Sequence, residues 1–176
     1  MIETVRLLLR SWRGGDGAEF VRVTNTPEVM EHLGGVADPG ELAGTAERLD
    51  RIEREHGYTF WATERKADGA LLGFCGVKPA NVPALLGELE IGWRLRHDAW
   101  GEGYAREAAE ASLAWAWANL EVERIVAITV PANSRSWGLM ERLTMGRRPD
   151  LDFQHPHFPP GHRLRGHITY VAERPS

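Results

Sequence analysis

A single cysteine, Cys75, occurs in the 176 residues, so no internal disulfide can form and a reducing compartment is expected. It sits in the apolar run Leu71-Leu72-Gly73-Phe74-Cys75-Gly76-Val77, where a thiol reads as a small buried hydrophobe rather than a nucleophile. Long hydrophobic runs are also missing. Val5-Arg6-Leu7-Leu8-Leu9-Arg10 is too short, and too interrupted by arginine, for a signal peptide or a membrane span. A cytoplasmic location without membrane attachment is therefore expected. Basic charge is not in excess: a formal net charge of −4 gives no electrostatic reason to expect nucleic acid as a partner. An acidic surface is more compatible with a cationic amine. No internal repeat, low-complexity tract or interdomain linker stands out. With 43% hydrophobic and 26% charged residues the chain is an ordinary globular one, and its length predicts one domain, residues 1–176.

The pattern of what is present predicts a mixed α/β sheet. Thr4 to Trp12 reads as a first strand, Ala18 to Thr24 as a short helix, and Pro27 to Leu33 as another, started by Asn25 or Thr26. Asp38-Pro39-Gly40-Glu41 opens a further helix, with Leu42, Ala46, Leu49 and Ile52 on one face. Glu47/Arg51 and Asp50/Arg54 can pair on the other face. Tyr58 to Arg65 and Ala70 to Lys78 form a hairpin around Lys66-Ala67-Asp68-Gly69. Next comes a strand with Leu89, Ile91, Trp93 and Leu95 on one face and Glu88, Glu90, Gly92 and Arg94 on the other. An alanine-rich helix follows from Gly103 to Leu120. Arg124 to Val130 is an apolar strand, and Asn133 caps a helix that turns Trp137, Met140 and Leu143 inward. Two segments, Leu151 to His155 and Arg165 to Val171, end the pattern. The two crossovers in the second half predict a local parallel portion.

The most informative stretch is the passage from that alternating strand into Trp100-Gly101-Glu102-Gly103-Tyr104-Ala105. A helix that opens on glycines offers free N–H groups and the positive end of its dipole, an anion seat. A P-loop is excluded, because no Gly-Lys-Ser/Thr follows. A dinucleotide site fits poorly: Arg106 stands where the third glycine belongs, and the next strand ends Thr129-Val130-Pro131 without an acidic residue. Coenzyme A and a turn with no ligand remain.

Five segments carry a resemblance. They are Thr4 to Arg10, Pro27-Glu28-Val29-Met30, Glu90-Ile91-Gly92-Trp93, Trp100 to Ala105, and Asn133-Ser134-Arg135-Ser136 followed by Met140-Glu141-Arg142-Leu143. In this order and spacing the chain resembles the GNAT superfamily of N-acetyltransferases, most closely its RimJ/RimL-like branch, over nearly its whole length. The resemblance implies an α/β GNAT fold: one mixed, mostly antiparallel sheet, splayed at its central strand and flanked by helices. It implies acetyl-CoA as co-substrate without a metal, and a primary amine as acceptor, either a protein N-terminus or a small molecule. It also allows a homodimer. There are departures. Trp100 replaces the superfamily's usual Gln or Arg, Met140 stands where many members carry a general-acid tyrosine, and Leu143-Thr144-Met145 replaces Leu-Gly-Phe.

By the same resemblance, backbone groups of Trp93, Arg94 and Leu95 pair with pantetheine. The amides of Gly101, Glu102, Gly103, Tyr104, Ala105 and Arg106 hold the pyrophosphate, and Asn133 both caps its helix and contacts the cofactor. Acetyl transfer needs a neutral amine and a proton for the departing thiolate. Glu90 is the candidate base, directly or through water, with Glu88 as a partner whose charge can raise its pKa; two solvated strand charges are the alternative. Ser136 is the candidate proton donor to the departing thiolate, or a group that orients the thiol, or a residue that merely completes a helical turn. Among His155, His157, His162 and His167 the His-x-His spacing can chelate zinc, but no cysteine is near and Pro156, Pro159 and Pro160 suggest an ordered loop. His155 faces the acceptor pocket or is structural. Two rivals remain: a non-catalytic acyl-CoA-binding or sensing domain, and a dinucleotide oxidoreductase.

Overall fold

A computed structural model describes residues 1–175, the side chains of Glu41 and Ala43 excepted. In chain order the elements are β1 (Ile2–Glu3), β2 (Leu7–Arg10), α1 (Asp16–Thr24), α2 (Pro27–Met30), α3 (Pro39–Ala43), α4 (Thr45–His56), β3 (Phe60–Arg65) and β4 (Leu71–Pro79). There follow β5 (Leu89–Leu95), α5 (Tyr104–Asn119), β6 (Arg124–Thr129), α6 (Ser134–Arg142), β7 (Gly146–Arg147), β8 (Phe153–Gln154) and β9 (Gly166–Glu173). The strands form one sheet in the order β1-β2-β3-β4-β5-β6-β9-β7, with β8 paired to β9. All pairings are antiparallel except β5 with β6, which the α5 crossover makes parallel. The α6 crossover leads to β7, but β9 inserts between β6 and β7 and runs antiparallel to both. The expected mixed, mostly antiparallel fold is the one observed.

Alternation along the strands places the two clusters of the core that flank β3 on opposite faces of the sheet. On β3, Trp61 joins Cys75, Val77, Ile91, Leu95 and Ile125 under α5 and α6, whereas Phe60 and Ala62 join Trp12, Phe20, Leu49 and Phe74 under α1 and α4. Small residues bring α5 close to the sheet: Ala108, Ala109, Ser112 and Ala116 are all fully buried. Enlarging any of these alanines would overpack the layer, at a cost of about 1–3 kcal/mol. Cys75 lies in this layer beside Ser112, and burial pushes its thiol up to about 12, as expected of a packing residue. No helix among the described residues is long and apolar enough to cross a membrane.

Several boundaries differ from the sequence pattern, for tertiary reasons. The expected strand from Thr4 to Trp12 is broken at its start, because Thr4 and Arg6 turn toward α5. The Thr4 hydroxyl donates to Glu107 Oε1 at 2.6 Å, and the Arg6 amide donates to the same oxygen at 2.8 Å. The single helix expected after Asp38 is two, α3 and α4, parted at Gly44. Asp38 Oδ1 does accept from the Gly40 amide at 2.8 Å, while the Glu41 side chain lies outside the described residues. The helix after Thr26 is only four residues long. Of the two expected α4 pairs, Asp50–Arg54 forms at 3.1 Å, and Glu47–Arg51 makes no ion pair among the described residues. The two-residue strand β8 falls inside the expected segment Leu151 to His155, whereas β7, equally short, carries no pattern.

Candidate active site

The site begins where two strands part. β5 and β6 pair only through Leu89↔Ile125 and Glu90↔Val126, then diverge. From Ile91 onward the β6-facing backbone edge of β5 is left without a strand partner. Into this opening runs a cleft of about 1030 Å³, lined on one side by Trp93, Arg94 and Leu95 and on the other by Ile128, Thr129 and Val130. The expected splay at the central strand is therefore present. Gly92 lies beneath the Phe60 ring, where a Cβ would come within 2.6 Å of the ring carbon; only glycine allows this approach.

At the end of β5 the chain turns through Trp100, whose Nε1 donates to the Leu95 carbonyl at 2.9 Å. Gly101 and Gly103 both adopt a left-handed φ of +81°, a conformation that other residues reach only with strain. Gly103 opens the 16-residue α5 with no side-chain cap. No partner among the described residues accepts the backbone N–H groups of residues 101–106. Six free amides at a helix start can receive an anionic group. Arg6 braces the turn from the link just before β2: its Nη1 donates to the Glu102 carbonyl at 2.8 Å and its Nε to Glu107 at 2.6 Å. Burial opposes charge on Glu107, but the Thr4 hydroxyl and both Arg6 groups outweigh it and hold the carboxyl below the usual carboxylate range.

Two cations near the turn escaped the sequence reading. Arg135, inside the Asn133–Ser136 segment, sits over the Trp100 ring with its Cζ 5.1 Å from the centre. Arg6 was read only as a strand residue. Their proximity to the turn depends on packing, and nothing local to either residue signals it.

The carboxylates do not form the expected couple. Glu90 and Lys78 are register partners on β5 and β4, and Lys78 Nζ donates to Glu90 Oε2 at 2.8 Å. Glu88 is instead held by the Arg124 guanidinium of β6. Each acid thus has its own cross-strand cation rather than the other acid for a neighbour in a hydrogen-bonded pair. Glu90 lines the cleft and Glu88 does not.

On α6, Asn133 Oδ1 accepts from the Ser136 backbone N–H at 3.3 Å. The Ser136 hydroxyl itself makes no hydrogen bond among the described residues, only its backbone N–H doing so, and the residue lines the cleft. Met140, at the position of the family's common tyrosine, is fully buried. From the other end of the sheet, His155 and His167 reach the same cleft with ring centres 4.8 Å apart. Burial lowers the pKa of both below the ordinary 6.5; the like charges of His167 and His157 add to this at His155, while the Arg165 carbonyl partly offsets it at His167. Both imidazoles are therefore neutral near pH 7 and able to accept a proton. His157 and His162 are exposed in the loop, where His162 stacks on Phe158 at 4.9 Å.

A mixed sheet splayed beside one parallel pair, leading into a helix that opens on glycines, defines the class of acetyltransferases built on the GNAT fold. The chain belongs to the acetyltransferase (GNAT) domain family, which matches residues 6–145. It is accordingly an acyl-CoA-dependent acetyltransferase. It is 31% identical to the Bacillus subtilis (strain 168) protein YkkB over 143 residues, covering 81% of this chain and 83% of YkkB. A GNAT-family acetyltransferase from Bacillus anthracis shares the fold with a TM-score of 0.78 at 22% identity, over 98% of each chain. The spermidine N-acetyltransferase of Vibrio cholerae, solved with CoA and spermine, does so with a TM-score of 0.73 at 15% identity, over 97% of each chain.

Proposed function

We propose that this enzyme moves the acetyl group of acetyl-CoA onto a primary amine, either a protein N-terminus, as in the RimJ/RimL-like branch, or a small molecule. It does so as one cytoplasmic domain spanning residues 1–176. The observation that carries this reading is the continuity of one cleft, from the free amides at the start of α5, along the splayed edge of β5, to Glu90 and the two neutral histidines. That the Vibrio cholerae enzyme was solved with a polyamine supports an amine acceptor.

Acetyl-CoA supplies the acetyl group as a thioester. The amides of Gly101, Glu102, Gly103, Tyr104, Ala105 and Arg106 hold the pyrophosphate, where the helix dipole favours negative charge. Backbone groups of Trp93, Arg94 and Leu95, along the edge of β5 that β6 leaves open, pair with pantetheine, and Asn133 meets the cofactor while capping α6. Glu90 removes the ammonium proton, directly or through water, from its place beside Lys78. The free hydroxyl of Ser136 orients or protonates the departing thiolate. His155 and His167 stand in the same cleft as a second place for the proton.

Thermal unfolding with candidate ligands tests the cofactor assignment. Acetyl-CoA at 100 times its Kd should stabilise the fold by about 2.7 kcal/mol, while NAD and ATP should not. Gly103→Val should remove this ligand-dependent increment, because a side chain there crowds the amides and strains a left-handed residue. Equal stabilisation by NAD would overturn the assignment.

A further inference from the structure

The Arg94 guanidinium is a charge without a counterion. It projects from β5 on the face that carries Glu90 and Gly92, into aromatic surroundings. Its Cζ lies 5.7 Å from the Phe20 ring centre and 5.5 Å from that of Phe74. Its Nε is sealed from solvent and has no hydrogen-bond partner among the described residues. No carboxylate among them lies within 4.0 Å of it. Other arginines packed into the fold are satisfied: Arg10 by Asp16 and Glu64 at 2.6 and 2.7 Å, and Arg174 by backbone carbonyls, among them Val122 at 2.9 Å. Burial, with the like charge of Arg48 behind it, pulls the Arg94 pKa down to about 10, which leaves it protonated at neutral pH.

A half-buried guanidinium whose Nε is sealed without a partner is costly, and an apolar side chain in this aromatic box would avoid the cost. The arrangement is completed by an anion from outside. Two features assign that anion to the acceptor rather than to coenzyme A. Phe20 and Phe74 belong to the layer under α1 and α4, whereas the glycine turn and α5 lie with the opposite layer. Moreover, the free amides of residues 101–106 already provide for phosphate there. Stacking on Phe20 and Phe74 fixes the guanidinium, and a fixed planar fork suits two-point binding of a carboxylate or phosphate.

We propose that Arg94 binds an anionic group of the acceptor, and that the acceptor is an amine which also carries a carboxylate or a phosphate. This rests on the acetyltransferase reading above. Glu90 and Arg94 stand on one face of β5, about 13 Å apart along the strand at ~3.3 Å per residue, with opposite charges. They receive a molecule whose ammonium lies toward Glu90 and whose acid lies toward Arg94.

Matched acceptor pairs test this by steady-state thiol release: amino acids against their carboxamides, and O-phosphoethanolamine against ethanolamine. Wild type, R94M and R94K are compared, and melting curves with acetate or inorganic phosphate are recorded alongside. The acid-bearing member of a pair should be favoured by about 10²-fold or more in kcat/KM, since its neutral analogue leaves Arg94 unpaired. R94M should erase the preference and R94K restore part of it. Which pair responds tells carboxylate from phosphate. Equal use of both members by wild type, or an unchanged preference in R94M, overturns the inference while leaving the acetyltransferase reading intact. If acetyl-CoA neither binds nor reacts, that reading fails instead. In that case, or if acetyl-CoA binds and no amine reacts, the melts decide: acetate or phosphate should raise the Tm of wild type and not of R94M, and no response in wild type overturns the role of Arg94.

Discussion

The Lys78 ammonium lies 2.8 Å from the Glu90 carboxylate, and the two residues are direct partners across β4 and β5. Both side chains are largely shielded, at 10% and 12% exposure, and Lys78 also sits over the Phe60 ring. The pair fixes the carboxylate at the cleft wall, where one oxygen meets Lys78 and the other has no partner among the described residues. That geometry leaves a lone pair for an ammonium proton or a bridging water.

Glu90→Gln should therefore lower kcat by about 10²-fold or more while leaving the acetyl-CoA Kd nearly unchanged. The loss should be steepest at lower pH, where more of the amine is protonated. Steady-state kinetics across pH check this. An unchanged pH–rate profile would pass the base role to His155, His167 or water.

For Ser136, stability and turnover should separate. The α6 cap uses the Ser136 backbone N–H, not its hydroxyl. Ser136→Ala should thus lower turnover with little change in Tm, and desulfo-CoA, which lacks the sulfur, should bind as before. Asn133→Ala removes the cap itself and should cost about 1 kcal/mol of stability. Unchanged turnover in Ser136→Ala would leave the thiolate to be protonated by water.

The histidine pair predicts how stability varies with pH. His155 and His167 both have pKa values lowered from the ordinary 6.5 in the folded state, chiefly by burial. The unfolded chain then takes up protons that the folded one refuses. Stability is full above the ordinary histidine pKa and falls as pH drops from there through the folded values. Urea melts between about pH 7 and pH 5 should show this decline, and His155→Asn with His167→Asn should flatten it. An equal slope in the double variant would show that the pair does not bind protons differently on folding.

Much of the site was legible because its signals are local. The alternation of Leu89, Ile91, Trp93 and Leu95 placed β5, and Gly101 and Gly103 marked the turn that α5 opens from. Asn133 was readable as a cap for the same reason. What the pattern missed depends on register and packing. Glu88 and Glu90 share a strand face in sequence, but the partners that separate them, Arg124 and Lys78, come from β6 and β4. The break between β1 and β2 follows from Glu107, about a hundred residues away. Arg94 looked like an ordinary polar-face residue until Phe20 and Phe74 closed around it. His167 meets His155 only because β8 pairs with β9, through Phe153↔His167.

The central claim is catalytic transfer to an amine, and product analysis under steady-state turnover tests it most directly. The protein is incubated with acetyl-CoA and a panel of amines, free thiol is followed over time, and the acceptor is analysed by mass spectrometry. The account predicts sustained thiol release that depends on the amine, one acetyl group added at its nitrogen for each thiol released, and loss of both in Glu90→Gln. Saturable acetyl-CoA binding with no amine-dependent thiol release and no acetylated product would contradict it, and would make the protein an acyl-CoA sensor instead.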